Sequence, residues 1–107
     1  MSPTRSIDES MAEIFRDDPA YAVELLNEVL ADGEPSELLI MLRQLAKAFG
    51  GVKTVAEKAE VNPTQLYRTL SAEGNPSLST LTAVLKAVGL RLAVQPIKAA
   101  GRERLRA

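Results

Sequence analysis

Large apolar residues recur at helical intervals along most of the chain, and Pro, Gly and Asp mark where each run stops. Over residues 8–16 the spacing of Met11, Ile14 and Phe15 predicts a helix of two turns. Asp17-Asp18-Pro19 ends it and begins the next: the Asp18 carboxylate can cap, and Pro19 suits the first helical position, where its missing N–H has no intrahelical partner. The second helix runs to about Ala31, before Gly33, with Val23, Leu26 and Leu30 as its stripe, Leu25 and Val29 beside them, and Glu24 and Glu28 on the other side. Glu34-Pro35-Ser36 opens a third helix that continues through Phe49. Leu38, Leu42, Leu45 and Phe49 share one face of it, widened by Leu39, Met41 and Ala46, and Gly50-Gly51 closes it. Three more helices are expected at about 53–59, 63–70 and 78–88. The last is lined by Leu78, Leu81, Val84, Leu85 and Val88 and closed by Gly89.

At Leu90 the period changes. Leu90, Leu92 and Val94 alternate with Arg91, Ala93 and Gln95 before Pro96, which predicts a short, half-buried strand. No other segment has a strand pattern, so the unpaired backbone groups call for the same strand of a second copy or a sheet edge of another protein. A homodimer with Leu90, Leu92 and Val94 in its seam is expected; a tail lying across the helices is the alternative. The polar, basic residues 98–107 are expected to fray.

With 107 residues the chain is one domain in length, divided here into an acidic leader (1–34), a central helical unit (35–89), and the strand with its basic tail (90–107). No apolar run approaches the roughly 18 to 20 residues of a membrane span, and no signal peptide is evident, so a cytoplasmic location is expected, with no membrane partner. Cys and His are both absent, which removes disulfides, thiol nucleophiles, imidazole bases and the usual zinc ligands. The carboxylates, lysines and hydroxyls that remain form no spaced pair suggestive of catalysis; an enzyme is not expected, nor any metal or cofactor.

The net charge of -1 hides an asymmetry. Residues 1–37 carry ten acidic side chains against Arg5 and Arg16, while residues 38–107 carry eleven basic ones against Glu57, Glu60, Glu73 and Glu103. One half suits a polyanion and the other a basic partner, unless both are ordinary solvated helix faces.

The candidate chemistry lies in VKTVAEKAEVNPTQLYRTL, residues 52–70. Two helices joined by about three residues cross steeply and need a small side chain where they touch. Ala56 supplies it, Val55 and Ala59 face inward, Val61 plugs the turn, and Leu66 and Leu70 face inward from the second helix. That is the residue pattern of a helix-turn-helix, whose second helix enters the DNA major groove. Glu60 departs from it: glycine is common there because the backbone tends to be left-handed, and another residue costs on the order of 1 kcal/mol.

With Leu66 and Leu70 buried, the helical wheel turns Thr64, Tyr67 and Arg68 outward, with Gln65 at the border. Arg can bond guanine bidentately and Gln adenine, and a Thr hydroxyl reaches bases or phosphates. Asn62 and Gln65 also fit a capping-box variant, and Tyr67 could instead lie over Ala72. Lys53 and Thr54 before this helix, and Asn75 and Ser77 after it, are candidate phosphate contacts with a solvated charge or helix cap as the plain alternative.

Residues 52–92 resemble the lambda-repressor-like (Xre) family, and LYRTLSAEGNPSLSTLTAVLKAVGLRL resembles its addiction-module antidote branch, similar to HigA antitoxins. The leader AEIFRDDPAYAVELLNEVLADGEPSELLIMLRQLAKAFGG is similar to that branch as well: a short helix, an Asp-Pro break, an acidic helix ending in Gly, and then the first repressor-like helix. The resemblance implies an all-α, lambda-repressor-like helix-turn-helix bundle with two extra N-terminal helices and a short C-terminal β-strand. It further implies an antitoxin that silences a basic, RelE/ParE-like toxin by binding it and, as a dimer, represses its own operon on double-stranded promoter DNA. Its DNA-reading positions fall on Asn62, Thr64, Gln65, Tyr67 and Arg68. The alternatives are a stand-alone repressor without a toxin, and a helical adaptor that does not bind DNA. By charge, the acidic helices are the expected toxin surface, with residues 90–95 as the competitor.

Overall fold

Six helices form where the apolar periodicity marks them: α1 (Ile7–Asp17), α2 (Pro19–Asp32), α3 (Pro35–Ala48), α4 (Val52–Ala59), α5 (Pro63–Thr69) and α6 (Leu78–Ala87). The computed structural model describes residues 6–71 and 73–97. The basic tail from residue 98 and the Tyr67–Ala72 contact lie outside the described residues.

Polar side chains start the leader helices. The Glu9 N–H donates to Ser6 Oγ at 3.0 Å and the Ser6 N–H to Glu9 Oε1 at 3.3 Å, a reciprocal cap that satisfies two otherwise orphaned donors. Asp18 Oδ1 accepts the Tyr21 N–H at 3.1 Å, with Pro19 in the first position of α2. At α3 the Glu34 N–H donates to Glu37 Oε1 at 2.9 Å.

Three helices end alike. After α3, α4 and α6 one residue turns left-handed, at Gly50 (φ 108), Glu60 (φ 61) and Gly89 (φ 86). The N–H of the following residue then reaches five positions back: Gly51 to the Ala46 carbonyl at 2.8 Å, Val61 to Ala56 at 3.0 Å and Leu90 to Leu85 at 2.8 Å. Glu60 therefore occupies the left-handed position expected of it, without the glycine that eases the other two.

The central element is α3. It packs on α1, α2 and α4, and α4 in turn holds α5 and α6. One apolar core runs through all of them, from Phe15 and Leu26 through Leu42, Leu45 and Val55 to Leu66, Leu70 and Leu85. Alanines 12, 22, 46 and 56 lie buried in it, letting helix backbones approach closely. They also change which residues face in. On α2 the inner stripe is Ala22 and Leu26, so Val23 and Leu30 sit outside, and Ile14, Phe49 and Leu78 are likewise exposed although large.

Two arginines tie distant parts together. Arg16 on α1 donates from Nε to the Ala48 carbonyl at 3.1 Å and from Nη2 to that of Lys47 at 3.3 Å, both in the last turn of α3. Arg43 on α3 donates from Nη1 to the Leu70 carbonyl at 2.7 Å, just past α5, and from Nε to Asp8 Oδ2 at 3.4 Å. Gln44, buried, donates to the other oxygen of Asp8 at 3.1 Å.

The strand expected from Leu90 is not formed. Among the described residues no strand is present, and residues 90–97 carry no ladder. A strand needs a partner edge, and the described residues have none to give. Leu90 is instead drawn into the turn that ends α6, and Leu90 and Leu92 pack against the helical core. The alternation predicted for the segment survives in its burial as far as Leu92 and breaks at Val94, which is 96% exposed. No helix among the described residues is long and apolar enough to cross a membrane.

Candidate nucleic-acid interface

α5 is a two-turn helix pinned on one side. Leu66, and Leu70 at its end, are each 1% exposed, resting on a core to which α4 contributes Val55 and Ala56, both fully buried. Val61 fills the turn between α4 and α5 and is half-buried. The far end of α5 is fixed by Arg43 on the Leu70 carbonyl and by Ser71 Oγ, which donates to the Arg68 carbonyl at 2.7 Å. Gly74 passes so close to this end that a Cβ there would collide with the Thr69 carbonyl. A short helix with little intrinsic stability is thus held rigidly by its inner face and its terminus.

The outer face is bare. Thr64, Gln65, Tyr67 and Arg68 are all exposed, Tyr67 at 59%. No hydrogen bond or ion pair engages the Arg68 guanidinium or the Gln65 amide among the described residues. No described part of the leader covers them.

Asn62 is a cap: the Gln65 N–H donates to its Oδ1 at 3.0 Å, which leaves the Asn62 amide nitrogen pointing free of that bond. Gln65 does not return the contact, so the expected capping box is only half formed. Ser77 is also a cap, accepting the Thr80 N–H at 3.1 Å and lying 3.0 Å from Thr80 Oγ1 and 3.1 Å from Ser79 Oγ. Asn75 is exposed without such a role.

At α4 the capping residue is Gly51, with φ 102 and no side-chain bond, so the first N–H groups of the helix, those of Lys53 and Thr54 among them, have no intrahelical acceptor. Lys53 is exposed and Thr54 half-buried. Between residues 38 and 97 the chain carries seven basic side chains against three acidic ones; the other four bases belong to the tail. The proposed seam residues divide, with Leu90 and Leu92 held by the core and only Val94 fully outside.

The sequence pattern did not announce Arg16, Arg43 and Asp8. Each acts across more than 25 positions of chain, and nothing local to these residues distinguishes them from solvated charges.

A family described as "probable addiction module antidote protein" matches residues 7–96. An uncharacterised protein of Haemophilus influenzae is 34% identical over 70 residues, covering 65% of this chain and 71% of that protein. No solved structure matches the chain. With all six of its described helices inside the match, the chain belongs to the addiction-module antidote family.

Proposed function

We propose that the protein is the antitoxin of a two-gene module, similar to HigA, which neutralises a basic, RelE/ParE-like toxin by direct binding and represses its own operon as a dimer on promoter DNA. In this reading α4 and α5 are a helix-turn-helix of the lambda-repressor (Xre) type and α5 lies in the major groove. The observation that carries it is the bare outer face of α5, where a helix held from its inner side offers Thr64, Gln65, Tyr67 and Arg68 to solvent with no side-chain partner among the described residues. Packing does not require these residue types there; base edges and phosphates do. Lys53, Thr54, Asn62, Asn75 and Ser77 precede or follow that face along the chain, and the two caps among them can still bond a phosphate through their remaining polar atoms. The chain would act in the cytoplasm, beside its DNA.

Dimerisation now rests on the segment beyond Leu92. Val94, with Ile97 three residues on, remains exposed and available for pairing with a second copy, while Leu90 and Leu92 anchor the segment to the core. A dimer doubles the phosphate contacts and makes the operator a palindrome with half-sites about one helical turn apart.

The test is a salt series of binding to the DNA upstream of the operon. Affinity should fall steeply as salt rises, and Arg68→Ala should weaken it by about 1 to 3 kcal/mol without changing thermal stability. Absence of binding at low salt rejects the repressor reading.

A further inference from the structure

α2 and α3 do not close against each other along their whole length. Between them lies an open groove of about 590 Å³. Each helix contributes one stripe at helical spacing: Leu25, Glu28, Val29 and Asp32 from α2, and Glu37, Ile40, Met41 and Gln44 from α3. The floor is apolar, the rim is Glu28, Asp32 and Glu37, and none of the residues lining it is basic. Ile40, a large apolar side chain, stands 41% exposed in it.

Glu37 has a structural reason to be there, since it accepts the Glu34 N–H at the start of α3. Glu28 and Asp32 have none. Neither has a hydrogen bond or ion pair among the described residues, and α2 contains no basic residue. Glu24, Glu28 and Asp32 succeed one another at intervals of four, where like charges repel along a helix, and Asp32 sits at the negative end of the helix dipole. The free protein would be better off without this row, and a cation laid along it removes both penalties.

We propose that this groove is the docking site for an amphipathic helix of the basic toxin, an inference that rests on the antitoxin reading and names its surface. Each stripe rises over about 11 Å, which matches about two turns of a bound helix. Apolar residues of that helix would fill the groove over Ile40 and Val29 while its Lys or Arg side chains meet Glu28, Asp32 and Glu37. The occupant is a cationic helix and not the same face of a second copy, which is equally acidic.

The experiment uses the full chain and, as probe, the product of the adjoining reading frame, the toxin of the proposed module, with binding measured by titration and protection measured by co-expression. The double variant Glu28→Lys/Asp32→Lys should lower affinity at least about tenfold at low salt, the loss shrinking as salt rises, while raising the thermal midpoint of the free protein because Glu24 then faces Lys at a favourable spacing. Loss of binding with a gain in stability excludes simple misfolding. Ile40→Ala, at a half-exposed position, should cost about five- to tenfold at any salt. Wild-type affinity in both variants overturns the groove and leaves the antitoxin reading standing. A wild-type chain that neither binds the neighbouring product nor protects against it overturns both. Variants that dissociate a dimer of this chain, with unchanged toxin affinity, overturn the assignment in favour of self-assembly.

Discussion

α2 and α5 are both lightly held helices, and they show opposite chemistry on the side that packing leaves open. α2 buries only Ala22 and Leu26 of its fourteen residues, and α5 only Leu66 of its seven. What α2 leaves outside is a row of carboxylates beside apolar side chains; what α5 leaves outside is hydroxyl, amide, phenol and guanidinium. A protein that must hold a basic polypeptide and a polyanion gains from this separation, because each surface repels the partner of the other. In both helices the residues proposed to carry function are those the core does not explain.

The largest test of the comparison asks whether the two regions stand or fall together. Phe15 is buried in the leader, yet it belongs to the same core as Leu66 and Leu85. Phe15→Ala should cost about 3 to 5 kcal/mol and lower the stability of both regions in one transition. Tyr21 lies in α2, with its ring centroid 6.2 Å from that of Phe15, and Tyr67 lies in α5. Tyr67→Phe leaves one as a fluorescent reporter of the leader, and Tyr21→Phe leaves the other as a reporter of α5. Two midpoints that differ in urea would show that the leader is a separate unit.

Next in size is the division of partners. Arg68→Ala should remove about 1 to 3 kcal/mol of DNA binding and leave toxin affinity as it was. A drop in both would mean that the two partners share a surface, and the comparison of α2 with α5 would fail.

A smaller effect is expected at the tie between the regions. Asp8 accepts from Arg43 and Gln44, and Arg43 also holds the end of α5. Asp8→Ala leaves a half-buried guanidinium and a buried amide each short of an acceptor, and should cost about 1 to 2 kcal/mol in chemical denaturation. If the midpoint is unmoved, water replaces the carboxylate and the leader is attached by its apolar face alone.

The positions of the six helices could be read from period and punctuation because Pro19, Pro35 and Pro63, each in the first turn of a helix, are local signals that no tertiary contact overrides. The rotation of the leader helices was not readable. The expected stripe of α2 ran through Val23 and Leu30, whereas Ala22 lies at the contact, since close approach favours the smallest side chain and a pattern of large residues does not register it. The tail failed for another reason: alternation describes which side chains are covered, and Leu90 and Leu92 satisfy it by packing on helices, with no ladder. At α5 the outward residues were legible because Leu66 and Leu70 fix the phase of so short a helix. The groove between α2 and α3 was not, because it exists only once both helices are placed.

The smallest effect concerns the turn into α5, where sequence and structure agree on a defect. Of the three left-handed helix ends, only that of α4 lacks glycine. Glu60→Gly should remove a conformational cost of about 1 kcal/mol, part of which returns as added freedom of the unfolded chain, for a net gain of about 0.5 kcal/mol. Glu60 is exposed and places a negative charge next to the start of α5, so a second effect must be separated from the first. Glu60→Gln removes the charge and keeps the strain: it should strengthen DNA binding at low salt and leave the urea midpoint nearly where it was. Glu60→Gly should do both. A glycine variant no more stable than the glutamine variant would mean that the turn is not held left-handed, and α5 would then lack the fixed angle from α4 on which the proposed DNA contact depends.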